Sequence, residues 1–298
     1  MILTVCLNPT FQSTLVFDLF KEGEVNRCTS HYLDASGKGM NTARLLSQLG
    51  SEAALLTHLG GPRKDEMLDL CSKDAVQVLH ADSFSDIRTC TTIICEGMCT
   101  ELVQNPEPVS ASCEGPIRAL FSEALKGSEA LIICGTRAPG YSKNLYSDFV
   151  REAKEADKFV LLDIKGEDLL SCLPYRPDVI KPNFSEFVET FFGEKVPEQE
   201  QNSDLIERVF AKMASLQEQY GCKSVISRGK HDLLLYDRGP ATVRVEPAKV
   251  LNSIGCGDTL SASLTRELQK GNSLQHAASV ATNLATMQAK TIPPGSFV

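Results

Sequence analysis

The sequence predicts an α/β protein with a mostly parallel β-sheet, because short apolar segments of strand character alternate with segments of helical periodicity. Strand character occurs at residues 2–7, 53–58, 130–134, 159–163, 179–181, 224–227 and 233–237. Helical periodicity occurs at residues 40–49, 117–126, 142–156, 186–192, 204–220, 259–269 and 274–289. This alternation is typical of a parallel sheet with helices on both faces.

Two segments interrupt the alternation, at about residues 13–34 and 88–104. Both contain strand-like stretches with no helix between them, so we expect a small separate sheet that covers a ligand site as a lid. No Pro/Gly/Ser-rich linker and no internal repeat divides the sequence. We therefore predict one domain over residues 1–298, with the lid projecting from it.

The charge balance argues against two classes of partner. The chain has 30 basic and 38 acidic residues and a net charge of −8, which disfavours nucleic acid and anionic membranes. A phosphate-bearing ligand would have to be attracted by a local group of basic side chains. The candidates are Arg27, Lys38, Arg88 and Arg137, and two of them, Arg27 and Arg88, lie in the lid segments.

The location that we expect is the cytoplasm. The first residues are apolar but lack the basic region and the cleavage site of a signal peptide, and the sequence has no run of 18 apolar residues. The eleven cysteines are scattered, without a Cys-x-x-Cys pair or a zinc-binding spacing. Dispersed thiols suit a reducing compartment.

A glycine turn at residues 252–258, Asn-Ser-Ile-Gly-Cys-Gly-Asp, is the most informative motif. Gly255 and Gly257 permit a tight turn, and the leucines that recur every four residues after it predict a helix. Backbone N–H groups at a helix N-terminus favour an anion. With Asp258 beside them, the turn is either a phosphoryl-transfer site, in which the carboxylate removes a proton, or a helix cap.

A second glycine turn lies at residues 34–44, before another predicted helix. Gly37 and Gly39 allow close backbone approach, while Lys38, Asn41 and Arg44 can bind an oxygen-rich ligand. The phosphate-binding pattern Gly-x-x-x-x-Gly-Lys-Ser/Thr is absent. A simple helix-entry turn is the alternative.

A motif that follows a predicted strand is Lys-Pro-Asn-Phe-Ser-Glu at 181–186. Asn183 and Glu186 fit a capping box, and the functional alternative places Glu186 near a hydrated Mg²⁺. Another strand leads to Ser-Arg-Gly-Lys-His-Asp at 227–232, which is either a hairpin turn or a nucleotide contact.

Taken in this order, the motifs resemble the ribokinase/PfkB family of carbohydrate kinases, nearest to the branch of 1-phosphofructokinase and tagatose-6-phosphate kinase. The two family signatures correspond to Ser-Gly-Lys-Gly-x-Asn at 36–41 and Asn-x-x-Gly-x-Gly-Asp at 252–258. Further matching segments lie at residues 4–9, 23–27, 134–140, 181–186 and 227–229. The resemblance implies a ribokinase-like three-layer sandwich with a mostly parallel central sheet and a small β-sheet lid.

The resemblance implies an activity, which is transfer of the ATP γ-phosphoryl group to a hydroxyl of a phosphorylated ketohexose of the fructose 1-phosphate or tagatose 6-phosphate type. Asp258 would be the general base, and the amides around Gly255, Cys256 and Gly257 would form an anion hole. Substrate contacts would come from Gln12, Arg27, Gly37, Lys38, Asn41, Arg88 and Thr136. ATP contacts would come from Lys181, Asn183, Glu186, Ser227 and Gly229, with Glu186 also holding Mg²⁺ through water.

The expected partners follow from the same resemblance. They are a small-molecule sugar phosphate and ATP, with Mg²⁺ as cofactor, and neither nucleic acid nor a membrane. A second copy of the chain, joined through the lid to form a homodimer, is a further expectation.

Four positions depart from the family pattern. Gln12 stands where the branch usually has an aspartate that binds sugar hydroxyls, and Ser36 replaces the first glycine of the first signature. Asp232 replaces a glycine of the ATP turn. Cys256 replaces the usual alanine of the anion hole, and a thiol at a helix N-terminus is expected to have a lowered pKa.

Two other functions remain open at this stage. One is a kinase for another sugar or polyol, and the other is a regulatory protein that binds a sugar phosphate and has little catalytic activity. A dinucleotide-binding oxidoreductase is disfavoured, because the first strand leads to Leu-Asn-Pro and not to Gly-x-Gly-x-x-Gly.

Overall fold

The computed structural model describes residues 1–297, and its main sheet has nine strands. They are β1 (Ile2–Cys6), β4 (Ala53–Leu59), β5 (Gln77–Asp82), β8 (Ala130–Cys134), β9 (Phe159–Asp163), β10 (Val179–Ile180), β11 (Lys223–Arg228), β12 (His231–Tyr236) and β13 (Pro240–Val243). Their spatial order is β13-β12-β11-β10-β9-β8-β1-β4-β5. Pairing is parallel from β5 to β11 and antiparallel from β11 to β13.

A second sheet of four strands lies apart from the main one. Its strands are β2 (Thr10–Phe17), β3 (Ser30–Ser36), β6 (Arg88–Cys95) and β7 (Met98–Leu102), in the order β3-β2-β6-β7. The outer pairs are antiparallel, whereas β2 and β6 run parallel with Gln12 opposite Cys90. We call this sheet the lid, and its strands fall in or beside the two segments that interrupt the sequence pattern.

Helices cover both faces of the main sheet and produce three layers. They are α1 (Lys38–Gln48), α2 (Lys64–Cys71), α3 (Glu114–Lys126), α4 (Leu145–Glu155), α5 (Gly166–Cys172), α6 (Phe184–Phe192), α7 (Ser203–Tyr220), α8 (Cys256–Gln269) and α9 (Leu274–Gln288). Apolar residues of α3 to α7 pack in one core cluster, and those of α1, α8 and α9 pack in another. The predicted α/β class and the predicted small separate sheet are therefore confirmed.

The alternation of side chains along β1 explains why this strand is apolar throughout. Leu3 and Val5 enter the core on one face, and Ile2 enters the core on the other. A strand whose two faces are both covered by helices needs apolar residues at successive positions. All five residues of β1 are buried.

The sequence prediction missed four short elements, namely β5, β13, α2 and α5. Strand β5 lies at one edge of the main sheet and is mostly half-buried, so it lacks a continuous apolar run. Strand β13 lies at the opposite edge, has four residues and begins with a proline. Helices α2 and α5 have eight and seven residues, which is too short for a clear helical period. Among the described residues, no helix combines the length and the apolarity that crossing a bilayer requires.

Candidate active site

A cavity of about 820 Å³ lies between the lid and the ends of the central strands. Loops at the carboxyl ends of β1, β8, β9 and β10 reach it, and this is the edge at which open α/β sheets bind ligands. The predicted site residues that line it are Gln12, Gly37, Lys38, Asn41, Arg88, Thr136, Lys181, Asn183, Glu186, Ser227, Gly229, Gly255, Cys256, Gly257 and Asp258. The fold thus brings together segments that are far apart in sequence.

The N-terminus of α8 opens into this cavity. Gly255 is the N-cap residue with φ of 92°, and no side chain among residues 1–297 caps the helix. A Cβ at position 255 would collide with the backbone nitrogen of Gly295, so both the conformation and the space require glycine. Within the described residues, the amides of Gly257 and Asp258 donate to no acceptor. They are available to an anion, which the helix dipole also favours.

Asp258 lies in the first turn of α8 and is almost fully buried, with 5% of its surface exposed. Its Oδ2 accepts a hydrogen bond of 2.8 Å from Asn41 Nδ2 on α1. Burial, with the nearby Asp163 carboxylate, raises the pKa of Asp258 to about 6, although Lys38, Asn41 and Lys181 act in the opposite direction. A carboxylate with such a pKa can accept a proton at neutral pH.

Two lysines and two carboxylates form the floor of the cavity. Lys38 Nζ lies 3.3 Å from Asp163 Oδ1 and 3.7 Å from Glu186 Oε1. Lys181 Nζ lies 3.1 Å from the other oxygen of Asp163. Burial alone would lower the pKa of Lys38, but the carboxylates of Asp163, Glu186 and Asp258 raise it. The lysine therefore stays protonated where it faces the cavity.

Asp163 is a site residue that the sequence prediction missed. It ends β9, is 1% exposed, and also accepts a hydrogen bond of 2.9 Å from the Ser261 hydroxyl. Burial disfavours its charged form, but Lys181 and Lys38 outweigh burial and lower its pKa. A polar residue at the carboxyl end of a predicted parallel strand was the only signal in the sequence.

Asn183 and Glu186 form a complete capping box at the start of α6. The Asn183 Oδ1 accepts from the Glu186 amide at 2.8 Å, and Glu186 Oε2 accepts from the Asn183 amide at 3.0 Å. The structural interpretation of this motif is thus confirmed, and it leaves Glu186 Oε1 facing Lys38. A bridge between Asn183 and Ser227 places the two motifs of the expected nucleotide site side by side.

The turn at residues 227–232 joins two antiparallel strands, β11 and β12. It is therefore a hairpin turn, which was one of the two interpretations of this motif. The Gly229 amide donates to the Glu198 carboxylate at 3.2 Å. Burial raises the pKa of Glu198, which lines the same cavity. Asp232 accepts from the Val245 amide at 3.4 Å. Glu198 is a second cavity residue that the motifs did not indicate.

The lid side of the cavity carries Gln12 and Arg88. Gln12 is 2% exposed, and its Nε2 donates to the Thr92 hydroxyl at 2.9 Å and to the Cys90 carbonyl at 3.4 Å. Arg88 donates to the carbonyl oxygens of Asn8 and Gln104, while its Nε is buried and donates to no described residue. Asn8 Oδ1 is likewise buried without a donor among the described residues.

The remaining predicted residues have contrasting positions. Thr136 accepts a hydrogen bond of 3.1 Å from Asn8 and lines the cavity. Arg27 is exposed between β2 and β3 and does not line the cavity. Arg137 pairs with Asp168 at 3.0 Å and also lies outside the cavity lining.

The expectation that the Cys256 thiol has a lowered pKa is wrong. The helix N-terminus would favour a thiolate, but burial dominates and raises the pKa of Cys256 to about 12, and the Asp258 charge acts in the same direction. A neutral thiol is a weak nucleophile. Cys256 therefore contributes its backbone position, with its Sγ directed at the Ala285 carbonyl at 3.6 Å.

Solved kinase structures share this fold. Phosphofructokinase-2 from Escherichia coli, in complex with substrates and products, is 21% identical, with 97% of this chain and 92% of that chain covered and a TM-score of 0.83. Another structure of the same enzyme, in complex with potassium, gives 20% identity, 97% and 93% coverage and a TM-score of 0.83. A possible 1-phosphofructokinase from Thermotoga maritima gives 20% identity, 98% and 94% coverage and a TM-score of 0.85.

The fold and the cavity define an α/β enzyme of the sugar-kinase class. Residues 7–294 match the model of the pfkB family of carbohydrate kinases. The chain belongs to this family, and it is a sugar kinase, a phosphotransferase with an alcohol group as acceptor. The resemblance found in the sequence is confirmed.

The raised pKa of Asp258 predicts that Asp258→Asn stabilises the protein at high pH. The folded protein holds the proton more tightly than the unfolded chain, so the carboxyl group stabilises the fold below pH 4 and loses this effect as pH rises through about 6. A shift of this size corresponds to roughly 3 kcal/mol. Thermal unfolding at pH 4 and pH 8 should show an advantage of the variant that grows with pH.

Glu114→Gln is a matched control of opposite sign. Glu114 is partly buried, yet hydrogen bonds from Ser142 and Arg118 lower its pKa. Its stabilising effect is therefore present at pH 8 and is lost as pH falls below its ordinary value. An advantage of Asp258→Asn that does not change between pH 4 and pH 8 would contradict the raised pKa.

Proposed function

We propose that this kinase transfers the γ-phosphoryl group of ATP to a hydroxyl of a phosphorylated ketohexose. The observation that carries the proposal is the Asp258 carboxylate beside unpaired amides of α8, in the same cavity as Lys38 and Arg88. A base, an anion hole and positive charge are the groups that phosphoryl transfer requires.

The reaction assigns one role to each group. Asp258 accepts the proton of the sugar hydroxyl as the oxygen attacks the γ-phosphorus, and the bond from that phosphorus to the bridging oxygen of ADP breaks. The amides of Gly257 and Asp258 stabilise the negative charge of the transferred group, and the positive charge of Lys181 adds to this stabilisation. A Cβ at position 257 would lie 3.8 Å from Lys181 Nζ, so this ammonium group lies beneath the turn.

The lid side of the cavity supplies the proposed site for the sugar phosphate. Arg88 has a buried Nε without an acceptor among the described residues, and Asn8 has a buried oxygen without a donor there. Both side chains line the cavity, and a polar ligand that gains access to these atoms would remove the free-energy cost of leaving them unpaired. A phosphate oxygen can accept from Arg88, and a sugar hydroxyl can donate to Asn8.

The opposite end of the cavity supplies the proposed nucleotide site. Ser227 and Gly229 face it from the hairpin turn. Apolar side chains suited to a planar base line this end, namely Leu233, Val245, Pro247, Ala248 and Val250. The Glu198 carboxylate accepts a hydrogen bond from the Gly229 amide here. A nucleotide phosphate that binds this amide therefore has to displace the Glu198 carboxylate.

Magnesium fits this site as a partner of the nucleotide. No group of three or more His, Cys, Asp or Glu residues that could hold a metal ion occurs among residues 1–297. Mg²⁺ usually keeps several waters and binds through one or two carboxylates and substrate phosphates, and Glu186 Oε1 offers one carboxylate oxygen to the cavity. When bound, the ion would neutralise charge on the phosphates.

The alternatives concern the substrate and not the fold. At about 20% identity, the phosphofructokinase structures share the fold with this chain and do not identify its sugar. A kinase for another sugar or polyol would use the same base and anion hole. A regulatory protein would bind the same ligands without turnover.

ADP release measured with ATP, Mg²⁺ and a panel of phosphorylated and free sugars tests the proposal. Phosphorylated ketohexoses should give the highest kcat/KM, and Asp258→Asn should lower kcat by a factor of about 100 to 10,000 while binding is retained. Asp178→Asn is the control, since Asp178 pairs with Lys154 outside the cavity lining. Equal activity of Asp258→Asn and the parent would exclude the base role, and turnover only with unphosphorylated sugars would exclude the substrate class.

Gln12→Asp should raise turnover of fructose 1-phosphate or tagatose 6-phosphate. An aspartate restores a charged acceptor for sugar hydroxyls, and a charged hydrogen bond gains about 1–2 kcal/mol over a neutral one, or about tenfold in kcat/KM. Gln12→Asn is the matched control, because it shortens the side chain equally without adding charge. If all three proteins have equal kcat/KM, position 12 does not select the sugar.

We also propose that two chains form a homodimer through their lids. Met98 and Leu102 of the edge strand β7 are 66% and 53% exposed, and Tyr32 of the opposite edge strand β3 is 37% exposed. Exposed apolar residues on an edge strand favour association with another chain. Sedimentation should show a dimer that Leu102→Glu dissociates and that Ala211→Glu leaves intact, since Ala211 is exposed on α7, which packs against β11 and β12 of the main sheet. A monomeric parent would exclude the dimer.

A further inference from the structure

Arg44 is a buried cation that none of the proposed catalytic steps uses. It lies in α1 with 7% of its surface exposed. Its Nε lies 2.8 Å from Asp74 Oδ2, and its Nη2 donates to the Ala35 carbonyl in lid strand β3. Its Nη1 donates to Asn41 Oδ1 at 3.2 Å and to the Pro294 carbonyl at 3.3 Å. One guanidinium group thus connects the lid, α1 and the segment after α9.

Asn41 is the residue through which Arg44 can affect the base. The two ends of its amide differ chemically, because the oxygen only accepts hydrogen bonds and the nitrogen only donates them. Asn41 Oδ1 accepts from Arg44 and also from the Ser36 hydroxyl, at 3.1 Å. Both neighbours therefore oppose a rotation that would exchange the two ends. With the oxygen held in this way, Asn41 Nδ2 must point towards Asp258.

We propose that Ser36 and Arg44 are positioning residues that fix the Asn41 amide so that it donates to the Asp258 carboxylate. This proposal rests on the proposed function of Asp258 as the base. The hydrogen bond from Asn41 stabilises the ionised form, which is the form that accepts a proton from the substrate. If the amide turned over, its oxygen would face the carboxylate and would instead favour the protonated, inactive form.

The Arg44 contact to Pro294 extends the same control to the anion hole. Gly295, the next residue, packs so closely on Asn41 and on Gly255 that a Cβ on either glycine would collide with its neighbour. Gly255 is the N-cap residue of α8. Arg44 therefore holds both the residue that orients the base and the backbone segment against which the anion hole is packed.

The other charged groups that act on Asp258 are not substituted in the Ser36 and Arg44 variants. They are Lys38 on α1, Asp163 at the end of β9 and Lys181 after β10. The two nearby thiols, Cys134 and Cys256, have raised pKa values and stay neutral at the pH of the assay. Ser36→Ala changes no charge, so a change in the titration of activity in this variant reflects the orientation of Asn41, whereas Arg44→Gln also removes a positive charge near Asp258.

The test compares pH profiles of kcat for Ser36→Ala, Arg44→Gln and the double variant, using ADP release with the best sugar of the panel. The midpoint of the acidic limb should move to higher pH, by about half a unit for Ser36→Ala and about one unit for the double variant. The KM for the sugar should change less than kcat below pH 7. Arg118→Gln is the control, since Arg118 has a comparable network with Glu114, Asp148 and Ser142 outside the cavity lining.

Each outcome decides one question. Acidic limbs that coincide with the parent's in folded variants would overturn the positioning role. If Arg44→Gln does not fold by circular dichroism, Ser36→Ala decides, because it removes only a hydroxyl group, and an unmoved limb overturns the proposal. If Asp258→Asn retains the parent's activity, the base role itself fails, whatever the profiles of the positioning variants show.

Discussion

The ion pairs of Asp163 determine the arrangement of charge in the cavity. The ammonium groups of Lys38 and Lys181 both lie at the floor of the cavity, and they would repel each other without a carboxylate between them. Asp163 gives one oxygen to each lysine, and the Ser261 hydroxyl satisfies it further. The chain has a net charge of −8, so this local concentration of positive charge is what can attract a phosphorylated ligand.

The same carboxylate has a second effect, on Asp258. Burial and the charge of Asp163 both raise the pKa of Asp258, while the two lysines and Asn41 lower it. The resulting pKa of Asp258 is about 6, close enough to neutrality for the proposed role as a base, in which the carboxylate first accepts a proton and later releases it. The folded state carries a free-energy cost for this buried charge, as catalytic sites often do.

All the residues that the resemblance implied for the site line the cavity except Arg27, and their motifs could be found in the sequence because they depend on local backbone needs. Gly255 and Gly37 have positive φ and close neighbours, and such requirements leave a pattern in the sequence. Asp163 and Glu198 left no comparable pattern, since each acts through partners that only the fold brings near. The predicted pKa of Cys256 was wrong for a similar reason: the position of Cys256 at a helix N-terminus is visible in the sequence, whereas its burial is not.

The departures from the family pattern differ in what they change near the reacting atoms. Ser36 adds a neutral hydroxyl that donates to Asn41, and Cys256 places a neutral thiol beside the Ala285 carbonyl. Neither alters the charge that a transferred phosphoryl group meets.

Gln12 differs from these two, because an amide in the place of an aspartate removes a charge from the lid side of the cavity. Its nitrogen is held by Thr92 of the neighbouring lid strand, so the register between β2 and β6 determines what Gln12 can offer a sugar. Under the proposed function, the chemistry of transfer depends on the central sheet and on α8, whereas the choice of substrate depends on the lid. A lid side chain can change without disturbing the base, which is why the family signatures define the reaction and leave the sugar open.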